Sequence, residues 1–134
     1  MSSHTATFHF DGGPVEGCEV VRYGHGFVQG IDQTGQPNTE VHGSMIGVQI
    51  VATADVELAK WMLDPFGRRS GRVVFKRNDQ DSTFVETIFE DAYCISYRES
   101  LRPGSTHENS SLVNLYLSPK QVTIRGLVYK ASWD

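Results

Sequence analysis

The residues able to do chemistry in this chain are scattered. Its five histidines, His4, His9, His25, His42 and His107, never fall two or four positions from another histidine or from a cysteine. A metal site built on one strand or helix turn needs such spacing to bring two ligands to one face, so no metal is expected. Gly43-Ser44-Met45-Ile46-Gly47 looks superficially like a nucleophile elbow. Its spacing is not G-x-S-x-G, however, and it opens a strand instead of joining strand to helix. Ser44 is therefore read as a strand-start serine. Glu90-Asp91 is the nearest thing to a carboxylate pair for acid–base work, but adjacent strand residues point to opposite faces, so the pair is read as structural or interfacial. Gly24-His25-Gly26 matches no phosphate cradle, and curvature of a strand accounts better for its glycines. The densest basic group, Arg68, Arg69, Arg72, Lys76 and Arg77, is read as a solvated rim or a contact with an acidic patch of another subunit. Cys18 and Cys94 are too few for a disulfide framework and are read as reduced, partly buried thiols. These residues define no catalytic constellation and imply no cofactor.

The elements that must position them are mostly strands. The chain has 134 residues, which predicts one domain, 1–134, with a real core. A hydrophobic fraction of 39% with 21% charged residues fits a soluble globular protein. The net charge of −4 argues against nucleic acid as the main partner, because backbone binding needs a basic surface. No apolar run approaches the length of a membrane span. Met1-Ser2-Ser3-His4-Thr5 has neither a basic nor an apolar leader segment, so Sec-type secretion and a signal peptide are not expected.

One stretch, Ala54 to Pro65, reads as a helix. Leu58, Trp61, Met62 and Pro65 recur at helical spacing, with Val56, Ala59 and Leu63 widening the stripe. Asp55 is the expected N-cap, Pro65 the terminator, and Asp64, at the wrong end for the macrodipole, needs a partner or a turn role. The rest alternates. Strands are expected at Thr5–Phe10, Val15–Gln29 (bent or bulged at Gly24, Gly26 and Gly30), Ser44–Val51, Arg72–Arg77, Thr83–Ser100 and around Val113–Leu117. Val122, Ile124 and Val128 form a last strand after a turn at Ser118-Pro119-Lys120. Phe66–Gly71 is a basic turn, and Asn78–Ser82 is another turn. Ile31–His42, polar and carrying Gly and Pro, reads as a loop of about a dozen residues. In Thr83–Ser100 the apolar residues occupy both parities around Glu90-Asp91, which predicts a strand bent at a bulge. The fold class is mainly β: a small two-sheet barrel or sandwich of about seven strands with one α-helix.

Four stretches, in order, carry a resemblance. They are Gln29–Pro37, Glu57–Pro65, Ser70–Phe75 and Phe89–Tyr97. Together they resemble the tube protein of type VI secretion systems (haemolysin-coregulated protein, Hcp or TssD), particularly the Bacteroidota form, and the likeness runs from about Phe8 to Trp133. The resemblance implies a barrel flanked by one helix, a hexameric ring with a wide pore, and rings stacked into a tube. It further implies sheath, spike and baseplate as partners, effector proteins in the lumen, no catalytic residues, and a bacterial cytoplasmic protein exported through the apparatus.

A heterologous ring contact needs two complementary surfaces, which long strands apolar on both parities can supply. On this reading Asp32, Gln33, Thr34, Gly35, Gln36, Pro37, Asn38 and Thr39 form a ring-stacking loop. Leu58, Trp61 and Met62 seal the barrel, leaving Glu57, Lys60 and Asp64 free for a neighbour or the lumen. The alternatives are a small-molecule or glycan-binding barrel with Trp61, Tyr93 and Tyr97 as platform, and a tail-tube protein of a phage or extracellular injection particle.

Overall fold

A computed structural model describes residues 4–31, 37–53, 56–77, 83–101 and 110–131. It contains β1 (His4–Phe10), β2 (Cys18–Ile31), β3 (Pro37–Thr53), α1 (Glu57–Leu63), β4 (Arg69–Arg77), β5 (Thr83–Ser100), β6 (Ser110–Ser118), β7 (Gln121–Ile124) and β8 (Leu127–Lys130). Every pairing is antiparallel. The strands run β4-β1-β2-β3-β6-β5, and β4 pairs back onto β5, so one continuous sheet curls into a closed barrel. β7 and β8 continue past the end of β6 on the same edge of β5.

Alternation places the core as expected. Phe8 and Phe10 of β1, Ile46, Val48 and Ile50 of β3, and Val113, Leu115 and Leu117 of β6 all point inward and are buried. β5 changes faces midway. Thr87 and Phe89 are buried before the bend, Ala92 and Cys94 after it, and Asp91 between them sits at φ +50°. Before the bend β5 pairs with β4 and β7; beyond it, from Tyr93, with β6. The expected bulge at Glu90-Asp91 is therefore the barrel's corner.

Several expected boundaries change. Val15 is 95% exposed, and β2 begins only at Cys18. The bulges of β2 lie between Val20 and Arg22 and around Val28 to Ile31, so Gly30 adjoins one while Gly24 and Gly26 do not. The loop expected over Ile31–His42 is largely hairpin: Ile31 pairs with Pro37 and Gln29 with Val41. Main-chain pairing needs no apolar side chains, so a polar segment can continue the ladder. Asp32–Gln36 lie outside the described residues, as does the turn expected at Asn78–Ser82. Arg69, Ser70 and Gly71, read as a turn, already belong to β4.

Ser118-Pro119-Lys120 does not reverse the chain. Tyr93 pairs with Ser118 and Glu90 with Gln121, so β7 continues the register of β6 along the same edge of β5. Pro119 has no N–H for the ladder, and the Lys120 N–H bonds to the Glu90 carbonyl at 3.0 Å. The reversal comes later. Arg125 and Gly126 adopt φ +51° and +81° between paired Ile124 and Leu127, a two-residue hairpin turn that splits the expected last strand into β7 and β8.

The helix is shorter than its sequence pattern. It spans Glu57–Leu63, with Val56 and not Asp55 in the N-cap position, and no side chain caps it. Leu58 and Trp61 are buried and Met62 packs against the core, but Val56 and Leu63 are exposed. Only one narrow face of this helix meets the sheet, so the outer residues of the stripe remain in solvent.

Candidate functional site

The described groups with chemical potential stand apart. Among the described residues no three His, Cys, Asp or Glu side chains come together as a metal site would require. His9 lies on β1 opposite Arg72; burial, then the charges of Arg72 and Lys76, hold its pKa below the ordinary value. His25 on β2 shares a 2.9 Å hydrogen bond with the Tyr23 hydroxyl, which donates to Thr87 Oγ1 at 2.9 Å. Ser44 lies within β3, buried, and its hydroxyl has no hydrogen-bond partner among the described residues. A nucleophile needs an adjacent base, which Ser44 lacks there. Glu90 and Asp91 serve the corner through their backbones: Glu90 O receives the Lys120 N–H, and Asp91 N–H donates to Ser70 Oγ at 3.0 Å. Cys18 and Cys94 are free and buried, and burial pushes the Cys94 thiol up to about 11. His42 and His107 lie outside the side chains described.

The best-built cluster surrounds α1. Trp61 Nε1–H donates to the Ala92 carbonyl at 3.0 Å, and its ring stacks near Phe10 (6.0 Å) and Phe89 (6.4 Å). An indole buried this way offers no ring face to a ligand, so the platform reading of Trp61 fails. Arg69 is not part of a solvated rim. Its guanidinium lies over the Trp61 ring at 5.9 Å, reaches Glu57 Oε2 at 3.4 Å and donates to the Asp11 carbonyl at 3.1 Å. Glu57 also pairs with Lys60 at 3.6 Å, so Glu57 is not free for a neighbour. Arg68 sits over Tyr93 at 5.9 Å. Asp64 takes the turn role, its Oδ1 accepting from the Phe66 N–H at 3.0 Å.

Large apolar side chains are left exposed at the end of the helix and on β8. Leu63 and Phe66, flanking the Asp64 turn, are 81% and 83% exposed, and Leu127 and Val128 are exposed on β8. Large apolar groups in this number on a small barrel mark contact surfaces. A closed barrel that fixes its helix and leaves large apolar groups outside is suited to packing against other proteins.

The comparisons with known proteins specify which assembly. The family model for hemolysin coregulated protein Hcp (TssD) matches residues 2–134, and the chain belongs to that family. Hcp1 from Flavobacterium johnsoniae is similar at 25% identity, with 94% of this chain and 98% of that one covered and a TM-score of 0.78. Hcp1 from Salmonella typhimurium shares the fold at 12% identity, covering 96% and 92% with a TM-score of 0.67. The tube-bearing sheath complex of an extracellular contractile injection system, PVC, shares it more distantly, at 11% identity over 92% and 88% with a TM-score of 0.52. No curated protein sequence matches the chain.

Sequence reasoning missed two features of this region. Arg69 was grouped with its basic neighbours, and only its spacing from the helix in three dimensions pairs it with Glu57. The β7–β8 turn did carry a signal, an Arg-Gly dipeptide between alternating apolar residues, but it is weaker than Asn-Gly.

Proposed function

We infer that this protein is a structural subunit of the inner tube of a type VI secretion system. It forms hexameric rings that stack into a tube and are propelled into target cells. The observation that carries the reading is the Hcp family match across residues 2–134, supported by a closed barrel of the same fold as Hcp1. The whole chain acts as one tube domain with no catalytic role. Its partners are further copies of itself, the sheath, spike and baseplate, and effectors held in the lumen. It resides in the bacterial cytoplasm until export through the apparatus; no described helix is long and apolar enough to cross a membrane.

Within this reading Leu58, Trp61 and Met62 seal the barrel, and Asp32–Thr39 contributes to stacking between rings. Because Ile31 pairs with Pro37, Asp32–Gln36 can be replaced by an Asn-Gly turn without disturbing the ladder. That variant is expected to keep hexamers and lose long tubes. Negative-stain electron microscopy tests both levels. Uniform six-fold rings from the wild type support the subunit reading, a monodisperse monomer overturns it, and long tubes from the shortened variant overturn the stacking role.

A further inference from the structure

We propose that the outward face of β2, β3, β6 and β5 binds an extended acidic polypeptide segment, with Arg22 and Arg98 taking carboxylates four residues apart. The strip is created by register. Arg22 pairs with Gln49, Gln49 with Asn114, and Asn114 with Arg98, so one row crosses four strands as Arg-Gln-Asn-Arg. The flanking inward row, Tyr23, Val48, Leu115 and Tyr97, belongs to the core or packs against it, which turns the polar row outward. Among the described residues no hydrogen bond or ion pair engages any of the four side chains. Two guanidiniums and two amides thus present donors to whatever lies on this face.

The next outward row gives the strip its shape. Gly24 pairs with Gly47 and Gly47 with Tyr116, so two positions beside the donors have no side chain and the third is a half-exposed aromatic. A groove of about 450 Å³ results, with Arg22, Gln49, Asn114 and Tyr116 on its walls. A Cβ at Gly24 would meet nothing within 4 Å, so the floor is open there, while the Tyr116 ring lies over Gly47, 3.0 Å from where a Cβ would stand.

Charge and length select the occupant. The row carries two cations and no carboxylate, although the protein as a whole is acidic; Arg22 lines the groove, Arg98 continues the row beyond it, and the exposed Glu19 lies on another row opposite Val51. Arg22 and Arg98 are separated by three strand spacings of about 4.8 Å, ~14 Å in all. An extended peptide covers ~14 Å in four residues, at about 3.4 Å each. Carboxylates at i and i+4 therefore meet the two guanidiniums, while Gln49 and Asn114 face the peptide groups between them. That the segment belongs to a protein carried by the tube rests on the function proposed above; the strip itself does not.

Fluorescence anisotropy at low salt (about 50 mM) tests it, using short labelled Ser-rich peptides with two Glu residues at i and i+4 or adjacent. Ring integrity is followed in parallel by negative stain. The wild type is expected to bind the spaced peptide more tightly than the adjacent one. Arg22→Ala/Arg98→Ala should weaken binding about tenfold or more. Gly24→Val, whose Cβ meets nothing within 4 Å and which changes no charge, should weaken it as well. Equal binding of the two peptides, undiminished binding by Gly24→Val, or tighter binding of a single-stranded oligonucleotide would each overturn the proposal. Intact rings that bind no peptide would overturn it too, and would leave the tube reading standing.

Discussion

The indole nitrogen of Trp61 in α1 donates to the backbone carbonyl of Ala92, 3.0 Å away and one residue beyond the corner of β5 at Asp91. The helix is thereby tied to the point where the strand changes faces. Trp61→Ala is expected to cost about 3–5 kcal/mol by opening a core cavity. Trp61→Phe keeps most of the ring but leaves the Ala92 carbonyl unpaired, for about 1–3 kcal/mol. Thermal melting distinguishes the two contributions, and an unchanged midpoint for Trp61→Ala would place the residue outside the core.

Arg69 and Glu57 couple strand to helix across a partly exposed boundary, with side-chain exposures of 22% and 28%. Solvent screening limits such a pair, so a double-mutant cycle in urea should give a coupling of about 0.5–1 kcal/mol that shrinks with added salt. Arg69→Ala alone should cost more than this coupling, because it also removes the contact over Trp61 and the bond to the Asp11 carbonyl. A single-mutant loss no larger than the coupling would contradict those extra roles.

At the β7–β8 turn, Arg125 holds a left-handed conformation, φ +51°, that asparagine adopts more readily. Arg125→Asn should stabilise the protein by about 0.5–1 kcal/mol. Gly126→Val, at φ +81°, should destabilise it by about 1–2 kcal/mol. Opposite shifts in urea midpoint would confirm the turn; parallel shifts would refute it.

Alkaline pH should unfold the protein partly through Cys94. Its thiol is raised from 9.0 to about 11 in the folded state by burial, partly offset by a hydrogen bond with the Ser96 backbone. The native state then holds a proton that the unfolded chain releases. The stabilisation is complete below pH 9 and is lost as pH rises towards about 11, by up to about 1.4 kcal/mol per unit. Tyr23, Tyr97 and Tyr129, also raised by burial, act in the same direction at higher pH. Cys94→Ala should flatten the stability–pH curve between pH 9 and 11 while leaving the tyrosine contribution; an unchanged curve would show that the thiol is not linked to folding.

Much of this fold was legible in single segments. Phe8 and Phe10, or Ile46, Val48 and Ile50, alternate because one side of a strand faces the core, and that period survives any choice of neighbour. The corner in β5 was legible too, because apolar residues that switch parity around Glu90-Asp91 can all be buried only if the strand bends there. The helix stripe was readable at Leu58 and Trp61 but overextended at Val56 and Leu63, since the width of a buried face depends on how much sheet lies beneath it. Ile31–His42 was misread because polarity reports the solvent and not the main-chain ladder.

The sequence by itself determined the strand periods, the one helix, the bend in β5 and, through four ordered stretches, the family. Each is a local property or an ordered pattern, so it can be read along the chain. Only the tertiary structure decided that Pro119 lets β7 continue beside β5, that Arg69 reaches Glu57 over Trp61, and that Arg22, Gln49, Asn114 and Arg98 share one row. Those relations depend on register between strands distant in sequence. A shift of one residue turns every side chain to the other face, so register is settled only when the barrel closes around its core.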